Sequence, residues 1–128
     1  MADPKLLSVR KALLELHRVL VHQERVAYER QYGRQSPSEF FRRIMQENLL
    51  AWLAPMSEMI VQIDEHLEGK EDPPQPSSQW IEAVQNLIRV QPADTPFKLR
   101  YAASLQEADV LFAHGEVVRA LSAPDVTH

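Results

Sequence analysis

Apolar residues recur every three or four positions along most of this chain and nowhere alternate with polar ones. From Leu6 the stripe runs through Val9, Leu13, Leu16 and Leu20, the spacing of one buried helical face. Continued, that face reaches Gln23, Glu24 and Ala27. A second stripe joins Phe41, Met45, Leu49, Trp52, Met56, Met59, Ile63 and Leu67, and a third holds Trp80, Ile81, Val84, Leu87 and Ile88. With no period-two pattern and no internal repeat, the chain reads as all-α. The expected architecture is a four-helix up-and-down bundle spanning residues 1–128 as a single domain.

Helix punctuation supports that division. Proline is tolerated at the first helical position, where its missing amide hydrogen would have no partner. Asp3-Pro4 therefore opens helix one, which Gly33 closes. Ser36-Pro37-Ser38-Glu39 has the capping-box spacing and starts a second helix running to Gly69. GKEDPPQPSS is a polar, proline-rich connection, after which Ser77 or Ser78 caps a third helix that stops at Gln91-Pro92. Thr95-Pro96 starts a fourth, with two places where it could break: Gly115, and the second capping-box spacing at Ser104-Leu105-Gln106-Glu107.

The second helix carries another apolar stripe, Leu50, Ala54 and Val61, at roughly the opposite azimuth. A helix apolar on two faces must bury both, either inside the chain or in a homodimer interface. Pro55 stands inside the same helix. There it would free the Ala51 carbonyl and kink the helix, at a cost of about 3 kcal/mol. In an antiparallel hairpin turning at residues 33 to 36, facing positions add to about 69. That level brings His17 close to Trp52 and makes its imidazole, or a water, the expected partner of the Ala51 carbonyl.

Composition narrows the functional classes. The net charge of −4 argues against binding nucleic acid. The absence of cysteine removes thiol catalysis, disulfides and zinc–thiolate sites. The N-terminal residues have no long apolar core, and the longest apolar run, Leu49 to Ala54, falls far short of the roughly 20 residues that span a bilayer. A cytoplasmic protein without a membrane anchor is expected.

The five histidines, His17, His22, His66, His114 and His128, include no Glu-x-x-His or His-x-x-x-His pair, so no metal and no cofactor is expected. Ser57 has no nucleophile elbow around it and no histidine expected at its level. The most suggestive polar group is Glu24, on the core side of helix one. Arg42 is its expected ion-pair partner, with Tyr28 one turn away and His17 and Trp52 nearby. If a pocket opens there, His17, Glu24, Tyr28, Arg42 and Trp52 form the candidate ligand-binding or acid–base site. If none opens, Glu24 and Arg42 make a buried pair that sets helix register.

The stretches LHRVLVHQERVAYERQYG and AWLAPMSEMIVQIDEHL together resemble a family of short bacterial all-helical proteins without an established activity, and TPFKLRYAASLQEADVLFAH is similar to that family's closing helix. The resemblance implies a helical bundle of bacterial origin and carries over no activity, cofactor or catalytic residue. The expected function is a non-catalytic bundle acting through protein–protein contacts, as a homodimer or with another protein, with Leu50, Ala54 and Val61 as its contact face. The alternative is a small-ligand binder or enzyme at the Glu24 cluster.

Overall fold

The computed structural model describes residues 3–124, so His128 lies outside them. The described residues form six α-helices and one 3-10 turn, with no strand among them. Helix α1, Pro4–Tyr32, begins where the Asp3 side chain accepts the Lys5 amide, and Gly33, at φ 88°, ends it. Helix α2, Pro37–Glu47, starts at Ser36, whose hydroxyl accepts the Glu39 amide at 3.2 Å. Then come the 3-10 turn Ala51–Leu53, α3 Ala54–Leu67, α4 Ser77–Ile88, α5 Pro96–Ser104 and α6 Ala108–Ser122.

The expected second helix is two helices. Asn48 adopts the left-handed conformation, φ 55° and ψ 40°, and ends α2. Asparagine accepts that region more readily than most residues because its short amide can bond locally. The chain then turns and starts α3 afresh, with Pro55 in the first helical turn. A proline there loses no hydrogen bond, so Pro55 is a helix start and not a kink. The Ala51 carbonyl needs neither His17 nor a water, because the Ala54 amide donates to it.

The break also splits the expected apolar stripe. Met56 and Ile63 on α3 are fully buried, whereas Phe41 and Met45 on α2 are 65% and 69% exposed. Only Phe40 of α2 is buried, against Tyr28 and beneath the Arg25 guanidinium. The last expected helix breaks at residues 105–107, where Ser104 turns back to bond the Tyr101 carbonyl. Gly115 lies inside an uninterrupted α6.

The core is organised around α1. Leu6, Val9, Leu13 and Leu16 are fully buried. Around them pack Met56, Ile60 and Ile63 of α3, Val84 and Ile88 of α4, Phe97 and Tyr101 of α5, and Val110, Ala113, Val117 and Leu121 of α6. The most extensive partner of α1 is α6. Gln23 donates to Asp109 in the first turn of α6, and the α6 core residues meet the stripe from Leu6 to Leu20, so α6 runs back antiparallel along α1. Helix α3 is antiparallel to α1 as well, because Arg10 pairs with Asp64 and His17 with Ser57. None of the described helices is long and apolar enough to cross a membrane.

Two substitutions test this architecture by denaturant unfolding. Leu13→Ala, which empties a fully buried position, should cost about 2–5 kcal/mol. Pro55→Ala should change stability by less than about 1 kcal/mol. A gain near the roughly 3 kcal/mol that relief of an interior proline releases would contradict the placement of Pro55 at a helix start.

Candidate functional site

Beyond Leu20 the inner face of α1 turns polar, and three elements converge on it. Trp52 comes from the 3-10 turn and Arg100 from α5. The Trp52 indole nitrogen donates to Glu24 Oε1 at 2.9 Å, and Arg100 Nη2 donates to the same oxygen at 2.8 Å. The Arg100 guanidinium also lies 4.7 Å above the Trp52 ring, a cation–π placement. Glu24 therefore ties α1, the turn and α5 together. A groove of about 280 Å³ opens beside the three residues, bounded also by Gln23, Arg30 and Glu107.

The expected partner of Glu24 is not there. Arg42 is exposed on α2, a helix that meets α1 through Phe40 and Glu47, both against Tyr28. Facing positions on α1 and α3 add to 74, set by Arg10 with Asp64 and His17 with Ser57, and not to the expected value of about 69. The turn between α2 and α3 uses those residues without advancing along α1. Consequently Glu24 meets Trp52, and His17 meets Ser57 at 2.9 Å between Nε2 and Oγ. The expectation that no histidine stands level with Ser57 fails for the same reason.

Tyr28 lies next to the cluster but bonds elsewhere, donating its hydroxyl to Glu47 at 2.9 Å. Burial and that carboxylate raise its phenol above the ordinary range. Glu24 and Tyr28 share the rim of a recess of about 220 Å³. Of the five expected site residues, the fold thus joins Glu24 to Trp52 by a hydrogen bond and sets Tyr28 beside them. It gives His17 a different partner and leaves Arg42 outside. Arg100 was missed, since a pairing across 76 positions leaves no local pattern.

Trp52 also forms one wall of a more apolar groove, about 440 Å³, with Pro55, Leu87, Pro96 and Phe97. Its ring centroid lies 5.9 Å from that of Phe97. Of the expected contact stripe, Ala54 and Val61 are exposed, while Leu50 is half-buried against the core. Among the described residues no three His, Asp or Glu side chains converge to hold a metal ion. The chain matches no family model, no curated protein and no solved structure.

A second, half-buried polar contact joins α5 to α6, where the Tyr101 hydroxyl lies 2.6 Å from His114 Nδ1. Burial pushes the Tyr101 phenol well above its ordinary pKa and pushes His114 below its own. Burial lowers His17 in the same way. Both imidazoles are neutral in the folded protein near pH 7, and in the unfolded chain each takes up a proton near pH 6.5. Their contribution is therefore complete above that pH and is lost as pH falls through the lower folded values. Stability should fall between pH 7 and pH 5, and His114→Gln with His17→Gln should flatten that slope. Thermal unfolding across the range checks this; a slope unchanged in the double variant would contradict it.

Proposed function

We propose that the chain acts through protein–protein contacts, as a homodimer whose subunits meet along the outer face of α6. In this reading α1, α3, α4 and α6 form a four-helix up-and-down core. Helix α5 and the 3-10 turn brace one end of it, and the Glu24–Trp52–Arg100 contact is a structural tie.

The observation that carries the proposal is the stripe Leu111, Gly115 and Val118. These residues stand about one turn apart, at i, i+4 and i+7, on an exposed flank of α6, where Val118 also borders Gln85, Ile88 and Arg89 of α4. Leu111, Val118 and the flanking Phe112 are all exposed, Phe112 by 70%. Gly115 costs about 1 kcal/mol relative to alanine inside a helix. Nothing among the described residues explains it, since a Cβ there would have no atom of theirs within 4 Å. Close approach of a second helix across Gly115 explains both the missing side chain and the apolar flanks. A two-fold crossing of α6 on its counterpart brings each Leu111 and Val118 against the partner's apolar surface.

The apolar groove bounded by Trp52, Pro55 and Phe97 favours a second reading, a small-ligand binder, and it is large enough for a compact apolar molecule.

Light scattering after size exclusion tests the first reading. The wild-type protein should elute at twice the 14.7 kDa chain mass. Gly115→Leu and Leu111→Asp should each give a folded monomer, while Val61→Asp leaves the dimer intact. A monomeric wild type would overturn the proposal. A dimer broken only by Val61→Asp would move the interface to α3.

A further inference from the structure

Where α3 meets α4, His66 stands between a carboxylate and a hydroxyl. Its Nε2 lies 2.9 Å from Ser77 Oγ, and its Nδ1 meets Glu71 Oε1. An ionised carboxylate only accepts, so Nδ1 carries the ring proton and Nε2 turns its lone pair toward the Ser77 hydroxyl. These are the nitrogen roles of a serine–histidine–acid triad.

The acid is fixed in place. Glu71 Oε1 also accepts the Gln75 amide at 3.1 Å. The His66 and Glu71 side chains are only 12% and 16% exposed, and the Trp80 ring lies 6.1 Å from the imidazole. Burial by itself would raise the Glu71 carboxyl. The hydrogen bonds from His66 and from the Gln75 amide outweigh it and hold Glu71 below the usual range, so it is ionised at neutral pH. The Trp80 indole N–H lies near that carboxylate and also lowers its pKa, but it is buried without a complete hydrogen bond.

Ser77 is the first residue of α4, a helix of 12 residues, and is partly exposed. In that first turn the Gln79 amide bonds the Pro76 carbonyl, and no hydrogen bond engages the Ser77 or Ser78 amide among the described residues. Free amides at the positive end of a helix stabilise an alkoxide and a developing oxyanion.

We propose that Ser77 is a nucleophilic serine, activated by His66 and positioned through Glu71, that takes acyl groups from small carboxylic esters. Ser77 Oγ attacks the ester carbonyl carbon while its proton passes to His66 Nε2. The tetrahedral oxyanion faces the first-turn amides of α4. Collapse breaks the bond to the alcohol oxygen, which leaves with the proton from Nε2. Water then gives a proton to Nε2 and its oxygen to the acyl carbon. Ser77 Oγ departs, regains the proton, and the carboxylic acid is released. Ser77 borders none of the grooves described above, so its substrates are small esters approaching from solvent. The pair formed by Ser57 and His17 has the same 2.9 Å contact. No carboxylate pairs with that imidazole among the described residues, so Ser57 is an internal control.

The experiment treats the full chain with a fluorophosphonate and maps the adduct by peptide mass spectrometry. It also follows p-nitrophenyl acetate hydrolysis against pH. The expected result is one adduct at Ser77 and none at Ser57. Labelling should be lost in Ser77→Ala and kept in Ser57→Ala. Glu71→Gln should slow labelling and hydrolysis at least about tenfold and shift the pH profile, because it removes the partner that sets the tautomer. Mapping the adduct on the unaltered protein needs no variant to fold. Absence of an adduct at Ser77 would overturn the proposal. So would labelling and a pH profile unchanged in Glu71→Gln, since the three residues would then only pin the loop.

Discussion

Everything in this molecule leans on the apolar face of α1. Leu6, Val9, Leu13 and Leu16 lie at alternating three- and four-residue steps and are wholly withdrawn from solvent. Each such side chain contributes about 1.5–3 kcal/mol when fully buried, and α3, α4, α5 and α6 all supply partners for them. The stripe ends at Leu20, while the helix continues to Tyr32. That mismatch creates the polar end of the fold. The inner face now carries Glu24 and Tyr28, and covering it requires polar partners: the Trp52 indole and Arg100 donate to Glu24, and the Glu47 carboxylate accepts from the Tyr28 hydroxyl.

Much of this was legible in the residues. Asp3-Pro4, Ser36-Pro37 and Thr95-Pro96 mark helix starts because their side chains accept first-turn amides while the prolines give up nothing, and all three serve as caps. The seam of α1 needed only periodicity. The break at Asn48 was hidden because LLAWLA, which follows it, has the pattern of a continuing helix and holds no glycine or proline. Pro55 then looked like an interruption when it is a beginning. The wrong level carried through to the site: it assigned Arg42 to Glu24, set His17 beside Trp52 and left Ser57 without a partner. Arg100 could not be found at all, since pairing between distant helices depends on packing angles that no local spacing encodes. His66, Glu71 and Ser77 were each visible, but they meet only because the connection after α3 folds back on itself.

The two surfaces that stand out have different physical characters. The end of α3 and the start of α4 hold polar groups whose hydrogen bonds assign protons to particular atoms, an arrangement with chemical consequences. The exposed flank of α6 offers apolar side chains around a glycine that the described monomer does not use, beside the Glu116–Arg119 ion pair. A helix interior keeps a residue of poor propensity at a cost in stability, which the proposed second helix at Gly115 would offset.

Because the chain contains no cysteine, a spin label can be placed at one site by Arg119→Cys, one turn beyond Gly115. Helices crossing at Gly115 would lie about 8–10 Å apart, bringing the two labels within about 25 Å of each other. A pulsed electron-spin distance measurement should therefore show a single short distance in the doubly labelled dimer. Absence of any dipolar coupling at high protein concentration would contradict the account of α6 as the meeting surface.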